Sequence, residues 1–198
     1  MINIIGISGS LRKGSYNTAL LKEAAEIGKG EIQIASIDEI PLYNGDVEAK
    51  SIPQSVLELQ QKFKRADGIL IASPEYNNGV PGVLKNTIDW LSRPATIIPE
   101  IFGGKPLAMM GASLSGFGTI LSQTAWLQTW RLLHVNLWNE KMPFMVSRAN
   151  TALDAEGRIT DAKIRQNLQE YIEGFIAFVY AQTALNRSEE VQRLRSKP

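Results

Sequence analysis

Two short runs, residues 2–8 (Ile2 to Ser8) and residues 67–73 (Asp67 to Ser73), constrain this chain more than anything else in it. Each is too short for a buried helix and too continuously apolar for a strand with one face in water. Strands of that kind occupy the middle of a parallel sheet covered on both sides. A parallel neighbour needs a crossover connection, and helical spacing follows each run. Residues 18–27 place Leu20, Leu21, Ala24, Ala25 and Ile27 on one helical side, and Gly28 and Gly30 can end that helix. Glu31 to Ile37 alternates apolar and polar residues as a strand would, and Pro53 suits the start of a helix with Val56, Leu57, Leu59 and Phe63 on its apolar side. Further on, the pattern predicts a helix from about Pro81 to Ser92 and a strand from Lys105 to Ala112. It then predicts a helix from Thr119 to Leu133, a fifth strand from Val135 to Trp138, and a long helix from Asp161 to Ala184. Five strands alternating with five helices predict an α/β fold, a three-layer sandwich whose parallel sheet carries helices on both faces. The 198 residues then divide into one domain, residues 1–185, and a charged tail, residues 186–198.

Composition matters mainly for what it removes. The chain has no cysteine, which excludes disulfides, thiolate catalysis and Cys-ligated zinc or iron–sulfur clusters, so redox chemistry would need an organic cofactor. His134 is the only histidine, and no metal is expected. Lys and Arg number 21 against 20 Asp and Glu, a net charge of +1 that gives no footprint for nucleic acid or anionic lipid. No apolar run nears the roughly 20 residues needed to cross a bilayer. Met1-Ile2-Asn3-Ile4 lacks the basic start of a signal peptide and reads as strand, so the expected location is the cytoplasm.

In an open parallel sheet, ligands bind beyond the carboxyl ends of the strands, where the strand order reverses. Three loops leave such ends with unusual compositions. In residues 9–18, Ser10, Ser15, Asn17 and Thr18 offer donors and Arg12 offers a guanidinium at the start of a helix, a set suited to a phosphate. The spacing is neither the Gly-x-Gly-x-x-Gly of dinucleotide folds nor the Gly-Lys-Ser/Thr of nucleoside triphosphatases. A plain helix cap by Ser15 after a glycine turn would use the same residues. Residues 73–82 are stiffened by Pro74 and Pro81, accept positive φ at Asn77 and Asn78, and present Tyr76. They suit the edge of a flat, hydrogen-bonding heterocycle, and equally an ordinary turn with Tyr76 packed on the core. Residues 112–119, with Ser113 and Gly116, allow close backbone approach to a ligand, as any flexible turn would.

Taken together, the loops resemble those of the NADPH-dependent FMN reductases, a family that includes bacterial quinone, chromate and azo-dye reductases. The likeness rests on Gly-Ser-Leu-Arg-Lys-Gly-Ser-Tyr-Asn at residues 9–17. It rests above all on Ser-Pro-Glu-Tyr-Asn-Asn-Gly-Val-Pro-Gly-Val-Leu-Lys-Asn-Thr-Ile-Asp-Trp-Leu-Ser-Arg at residues 73–93, and it runs in register from about residue 1 to residue 180. The resemblance implies a flavodoxin-like fold with strand order 2-1-3-4-5 and FMN as cofactor. It assigns Ser10, Arg12, Ser15 and Asn17 to the FMN phosphate, and the adjacent Thr18 stays a cofactor-binding candidate from the loop itself. Pro74, Glu75, Tyr76 and Asn77 would line the flavin ring, largely through main-chain groups. Residues 113–118, Ser113 and Gly116 among them, would close over the other side. NADPH or NADH would be the electron donor, and the acceptor a small molecule such as a quinone, flavin, azo dye or chromate. A homodimer or homotetramer is implied, with residues 84–93 near a subunit contact. No side-chain acid or base is required, and no catalytic residue is assigned. Several relatives carry Gly-Gly-Ala-Arg where this chain has Gly118-Thr119-Ile120-Leu121, so nucleotide and acceptor preferences do not transfer. The rival reading is a non-enzymatic flavodoxin-type electron carrier. Such carriers are typically acidic, with a phosphate loop richer in Thr and Gly and no counterpart of Arg12. A nucleotide-binding regulator without turnover would take up no FMN.

Several conspicuous residues are expected to be structural. His134 reads as a surface or capping residue, and Trp126, Trp130 and Trp138 as core or interface. Asp89 and Arg93, four apart on one face of a predicted helix, suggest a structural or intersubunit ion pair, and Lys85 a solvated charge.

Overall fold

The computed structural model of the chain describes residues 1–138 and 143–188. Its first strand, β1 (Ile4–Ser8), is buried at every position. Successive side chains point to opposite faces of a strand, and each face here meets its own apolar layer. Ile4 joins Leu20, Leu21 and Phe175 in one layer, while Ile5 and Ile7 join Phe63, Ile88 and Trp126 in the other. The remaining elements follow in order: α1 (Tyr16–Ile27), β2 (Ile32–Ala35), the short α2 (Gly45–Glu48), α3 (Gln54–Arg65), β3 (Gly68–Ala72) and α4 (Gly82–Leu91). Then come the short α5 (Ile98–Ile101), β4 (Pro106–Ala112), α6 (Ile120–Leu132), β5 (Asn136–Leu137), β6 (Phe144–Val146), the short α7 (Ala149–Ala152) and α8 (Ala162–Arg187). Helices α1 and α8 cover one face of the sheet, and α3, α4 and α6 cover the other. Local signals fix two of the starts: the Ser15 side chain accepts the Thr18 N–H at 3.2 Å, and the Asp161 carboxylate accepts the N–H groups of Lys163 and Ile164.

All strand pairs are parallel and the order is β2-β1-β3-β4-β5, as expected for a flavodoxin-like sandwich. The outer strand comes in two pieces. Asn136 and Leu137 pair with Pro106 and Leu107, whereas Phe144, Met145 and Val146 pair with Met110, Gly111 and Ala112 further along β4. The sequence expectation of one fifth strand from Val135 to Trp138 reaches only the first piece, because three residues are too few for a period to show. The long helix runs to Arg187, past the expected domain end at residue 185. Of the expected tail, residues 189–198 lie outside the described residues. No helix among the described residues is long and apolar enough to cross a membrane.

Trp126, Trp130 and Trp138 are buried, and Trp126 stacks on Trp130 with ring centroids 4.9 Å apart. His134 is exposed with φ 57°, just past the end of α6. Asp89 and Arg93 do not pair with each other within the chain. Helix α4 stops at Leu91, so Arg93 leaves the helical face that four-residue spacing assumes. Asp89 instead pairs with Lys85, one turn earlier, and Arg93 lies 3.9 Å from the Glu48 carboxylate.

Lys105, just ahead of β4, turns its ammonium group back to the carbonyls of Phe63 and Lys64 at the end of α3. Burial lowers its pKa to about 8, against the opposing pull of Asp67 and Glu100. The folded chain therefore releases a proton near pH 8 that the unfolded chain keeps to about pH 10.4. Stability is expected to rise between about pH 8 and pH 10, because the unfolded state binds more protons there. Urea midpoints measured across that range check this, and Lys105→Met should flatten the rise.

Candidate functional site

The carboxyl ends of β1, β3 and β4 open into the three loops singled out above, and these enclose a cavity of about 360 Å³. Of the residues expected there, Ser10, Arg12, Ser15, Asn17, Pro74, Glu75, Tyr76 and Ser113 line it, together with Tyr16, Ala112 and Leu114. Thr18, Asn77 and Gly116 do not line it. A second cavity of about 300 Å³ lies across Tyr16 along α1 and takes in Thr18. There Lys13, Lys22 and Arg158 face Glu23, Glu26, Asp154 and Glu156, so carboxylates outnumber cations and a phosphate finds no net attraction.

In the first loop the charge balance is the reverse. The Arg12 guanidinium lies over the Tyr16 ring, 5.3 Å from its centroid, and has no carboxylate partner among the described residues. The Ser10 hydroxyl, on the same cavity, accepts from the Arg12 backbone N–H at 3.4 Å and from the Tyr76 hydroxyl at 3.3 Å. The amides of Tyr16 and Asn17 open α1 and find no acceptor among the described residues, as first-turn amides do not within a helix. Thr18 stands behind this row, its hydroxyl donating to the Ser8 hydroxyl at 2.9 Å. Asn17 is buried and doubly engaged: Nδ2 donates to the Ala112 carbonyl and Oδ1 accepts the Ala112 N–H, both at 2.9 Å. Its side chain thus ties the start of α1 to the end of β4.

The second loop is a two-residue turn. The Gly79 N–H donates to the Tyr76 carbonyl at 3.0 Å and the Tyr76 N–H to the Gly79 carbonyl at 3.3 Å, with Asn77 and Asn78 at φ 50° and 58°. Asparagine tolerates that left-handed geometry better than most residues. Tyr76 does not pack on the core; it is 48% exposed and reaches across to Ser10. The Glu75 carboxylate accepts the N–H groups of Leu121 and Ser122 at the start of α6.

The third loop is braced from below and from the side. A Cβ on Gly111 would lie 2.1 Å from the Thr119 hydroxyl and 2.5 Å from the Ser73 carbonyl, so glycine there makes the room that buried Thr119 occupies. The N–H groups of Arg148 and Ala149 donate to the carbonyls of Ser115 and Ser113, and the Ser113 N–H donates to the Val146 carbonyl. Arg148 has φ 48°, and nothing in its residue type announces a left-handed turn. Thr119, Arg148 and the Glu75 contacts are the parts that sequence reasoning missed. Each depends on pairing between distant segments. Among the described residues no group of His, Asp and Glu could hold a metal ion.

Residues 2–150 match the sequence profile of the NADPH-dependent FMN reductases. The chain is 44% identical over 180 residues to an NAD(P)H-dependent FMN reductase of Pseudomonas aeruginosa, spanning 90% of this chain and 95% of that one. It is 38% identical over 176 residues to an NAD(P)H:quinone oxidoreductase of Solanum tuberosum, spanning 85% and 88% of the two chains. Among solved structures, FerB of Paracoccus denitrificans, a flavoenzyme NAD(P)H:(acceptor) oxidoreductase, superimposes with a TM-score of 0.81 at 30% identity. That match covers 92% of this chain and 99% of the other. A braced three-loop cavity at the switch point of the sheet and a profile match running through all three loops lead to one conclusion: the chain belongs to the NADPH-dependent FMN reductase family.

Proposed function

We propose that the chain holds FMN in the cavity between the three loops and passes hydride from NADPH or NADH to a small acceptor such as a quinone, flavin, azo dye or chromate. The observation that carries this reading is the uncompensated guanidinium of Arg12 on the cavity that the Ser10 hydroxyl and the free amides opening α1 also line. One terminal phosphate fits that donor set, and the acid-rich cavity beyond Tyr16 disfavours the second phosphate of FAD. Arg12, Ser10, Ser15 and the α1 amides would hold the phosphate. Pro74 and the main chain of Glu75 and Tyr76 would fix one edge of the ring, and the third loop would cover another. Asn77 shapes the turn that presents Tyr76, and Thr18 supports the phosphate row through Ser8. Bound FMN supplies the hydride-transfer centre. The residues around it orient the ring and shield it from water, and no side-chain proton transfer is needed.

Leu114 lines the cavity and is 63% exposed, which favours a flat apolar acceptor such as a quinone. Exposed Leu42 and Val47, attached to α4 through the Tyr43–Asn86 hydrogen bond, favour assembly through that side as a homodimer or homotetramer. A cytoplasmic location belongs to the same proposal. In titrations of the purified chain, FMN is expected to bind well ahead of FAD. Initial rates with NADPH and a quinone should give parallel reciprocal lines, because both substrates would reach the same face of the flavin through the opening beside Tyr76. FAD binding as tight as FMN binding would remove the single-phosphate assignment, and intersecting lines would remove the shared opening.

A further inference from the structure

We propose that Glu75 is a positioning residue: its carboxylate, reaching from the second loop to the start of α6, sets the separation of the two cavity walls. The local sequence leaves this helix start without a side-chain cap. Thr119, the residue in the capping position, makes no side-chain cap hydrogen bond. Its hydroxyl is buried in the room that Gly111 leaves and accepts from Gln123 Nε2 at 2.9 Å. The first-turn amides of a helix have no acceptor within the helix, so they must find one elsewhere. Glu75 Oε2 takes two of them, accepting from Leu121 at 2.9 Å and Ser122 at 3.0 Å across sequence separations of 46 and 47 residues. An anion is well matched to that point, where the peptide dipoles of a 13-residue helix leave partial positive charge.

A second tie lies deeper along the same seam. The Ser73 and Ser122 hydroxyls lie 3.1 Å apart, and Trp126 Nε1 donates to Ser73 at 3.2 Å. Those groups are buried and neutral, and they hold the base of the second loop to α6. Glu75 acts nearer the opening, between Pro74 and Tyr76, which both line the cavity. The third loop ends at Gly118 and Thr119, directly before α6, so fixing the start of α6 also fixes where that loop lies. Without the carboxylate the seam keeps its base and loses its upper tie, so the walls can separate while the sheet stays intact.

The inference rests on the FMN reading, and its test separates the two. Glu75→Ala and Glu75→Gln are compared with the parent by amide hydrogen exchange of the FMN-free protein and by FMN titration. In Glu75→Ala, the amides of Leu121 and Ser122 should exchange about tenfold faster and the FMN Kd should rise about tenfold, with β3 and β4 protected as in the parent. Glu75→Gln keeps one acceptor oxygen without the charge and should fall between. Added formate should recover part of the FMN affinity of Glu75→Ala by occupying the vacated position, with no effect on the parent. Unchanged exchange at Leu121 and Ser122 would overturn the capping contact. Faster exchange with FMN affinity within about twofold of the parent would overturn the positioning role. Failure of the FMN reading would show separately, as no FMN uptake by the parent.

Discussion

Arg12→Ala is expected to weaken FMN binding roughly 10- to 150-fold while leaving the fold and the turnover of the saturated protein close to those of the parent. The monoester phosphate of FMN carries close to two negative charges near neutral pH. Among the described residues Arg12 is the one cation lining the cavity, for Lys13 faces the second cavity across Tyr16. The guanidinium rests on the Tyr16 ring and is exposed, so it reaches an anion without first breaking an internal ion pair. A hydrogen bond to a charged group contributes about 1.5–3 kcal/mol, which sets the range. Stability should hold, because the loop is anchored by the backbone bond from the Ser15 N–H to the Arg12 carbonyl, which alanine keeps. Flavin fluorescence titration reads the affinity, and steady-state rates at saturating FMN read the rest. Unchanged affinity would remove Arg12 from the phosphate. Collapsed turnover in the saturated variant would put Arg12 beside the ring and reverse the orientation proposed for the cofactor.

What the sequence revealed and what it hid divide along a physical line. Ile4–Ser8 and Gly68–Ala72 were legible because strands buried on both faces need uninterrupted apolar residues, and short apolar runs are rare elsewhere. The caps at Ser15 and Asp161 were within reach of local reading, since each bonds to amides two or three residues away. The tight turn at Asn77 and Asn78 follows from residue type in the same way. Contacts made over 95 residues by Asn17, or over 46 by Glu75, leave no periodic trace. Polar residues in a ligand-binding loop look like ligands from sequence even when their side chains hold other loops. The absence of an Asp89–Arg93 pair within the chain has a related cause. Four-residue spacing implies a shared face only while the helix lasts, and α4 ends two residues before Arg93. Phe144–Val146 was hidden by brevity, although it pairs along the part of β4 that leads into the third loop.

Asn17 makes that ambiguity testable, because a phosphate ligand and a structural tie predict opposite signatures. Its side-chain amide satisfies both backbone groups of Ala112, the last residue of β4, in buried surroundings. Asn17→Ala leaves a buried N–H and a buried C=O without these partners, at about 1–3 kcal/mol each. A loss of about 3 kcal/mol is expected, and for a chain of this size that lowers Tm by about 6–12 °C. The loss should be present in the FMN-free protein, since the tie exists without any ligand. FMN affinity should fall as well, because Ser113, the next residue after Ala112, begins the third loop. Asn17→Asp refines the test: its carboxylate can still accept the Ala112 N–H but sets a negative charge against the Ala112 carbonyl. That variant should be destabilised too, and further at pH 8 than at pH 4, where protonation of the carboxyl restores a donor. Thermal melts of the FMN-free proteins with parallel FMN titrations decide the matter. A Tm within about 2 °C of the parent, together with lost FMN affinity, would make Asn17 a ligand first. A large Tm loss in the FMN-free protein, beside an Arg12→Ala variant that melts like the parent, assigns Arg12 to the phosphate and Asn17 to the scaffold that holds the loop around it.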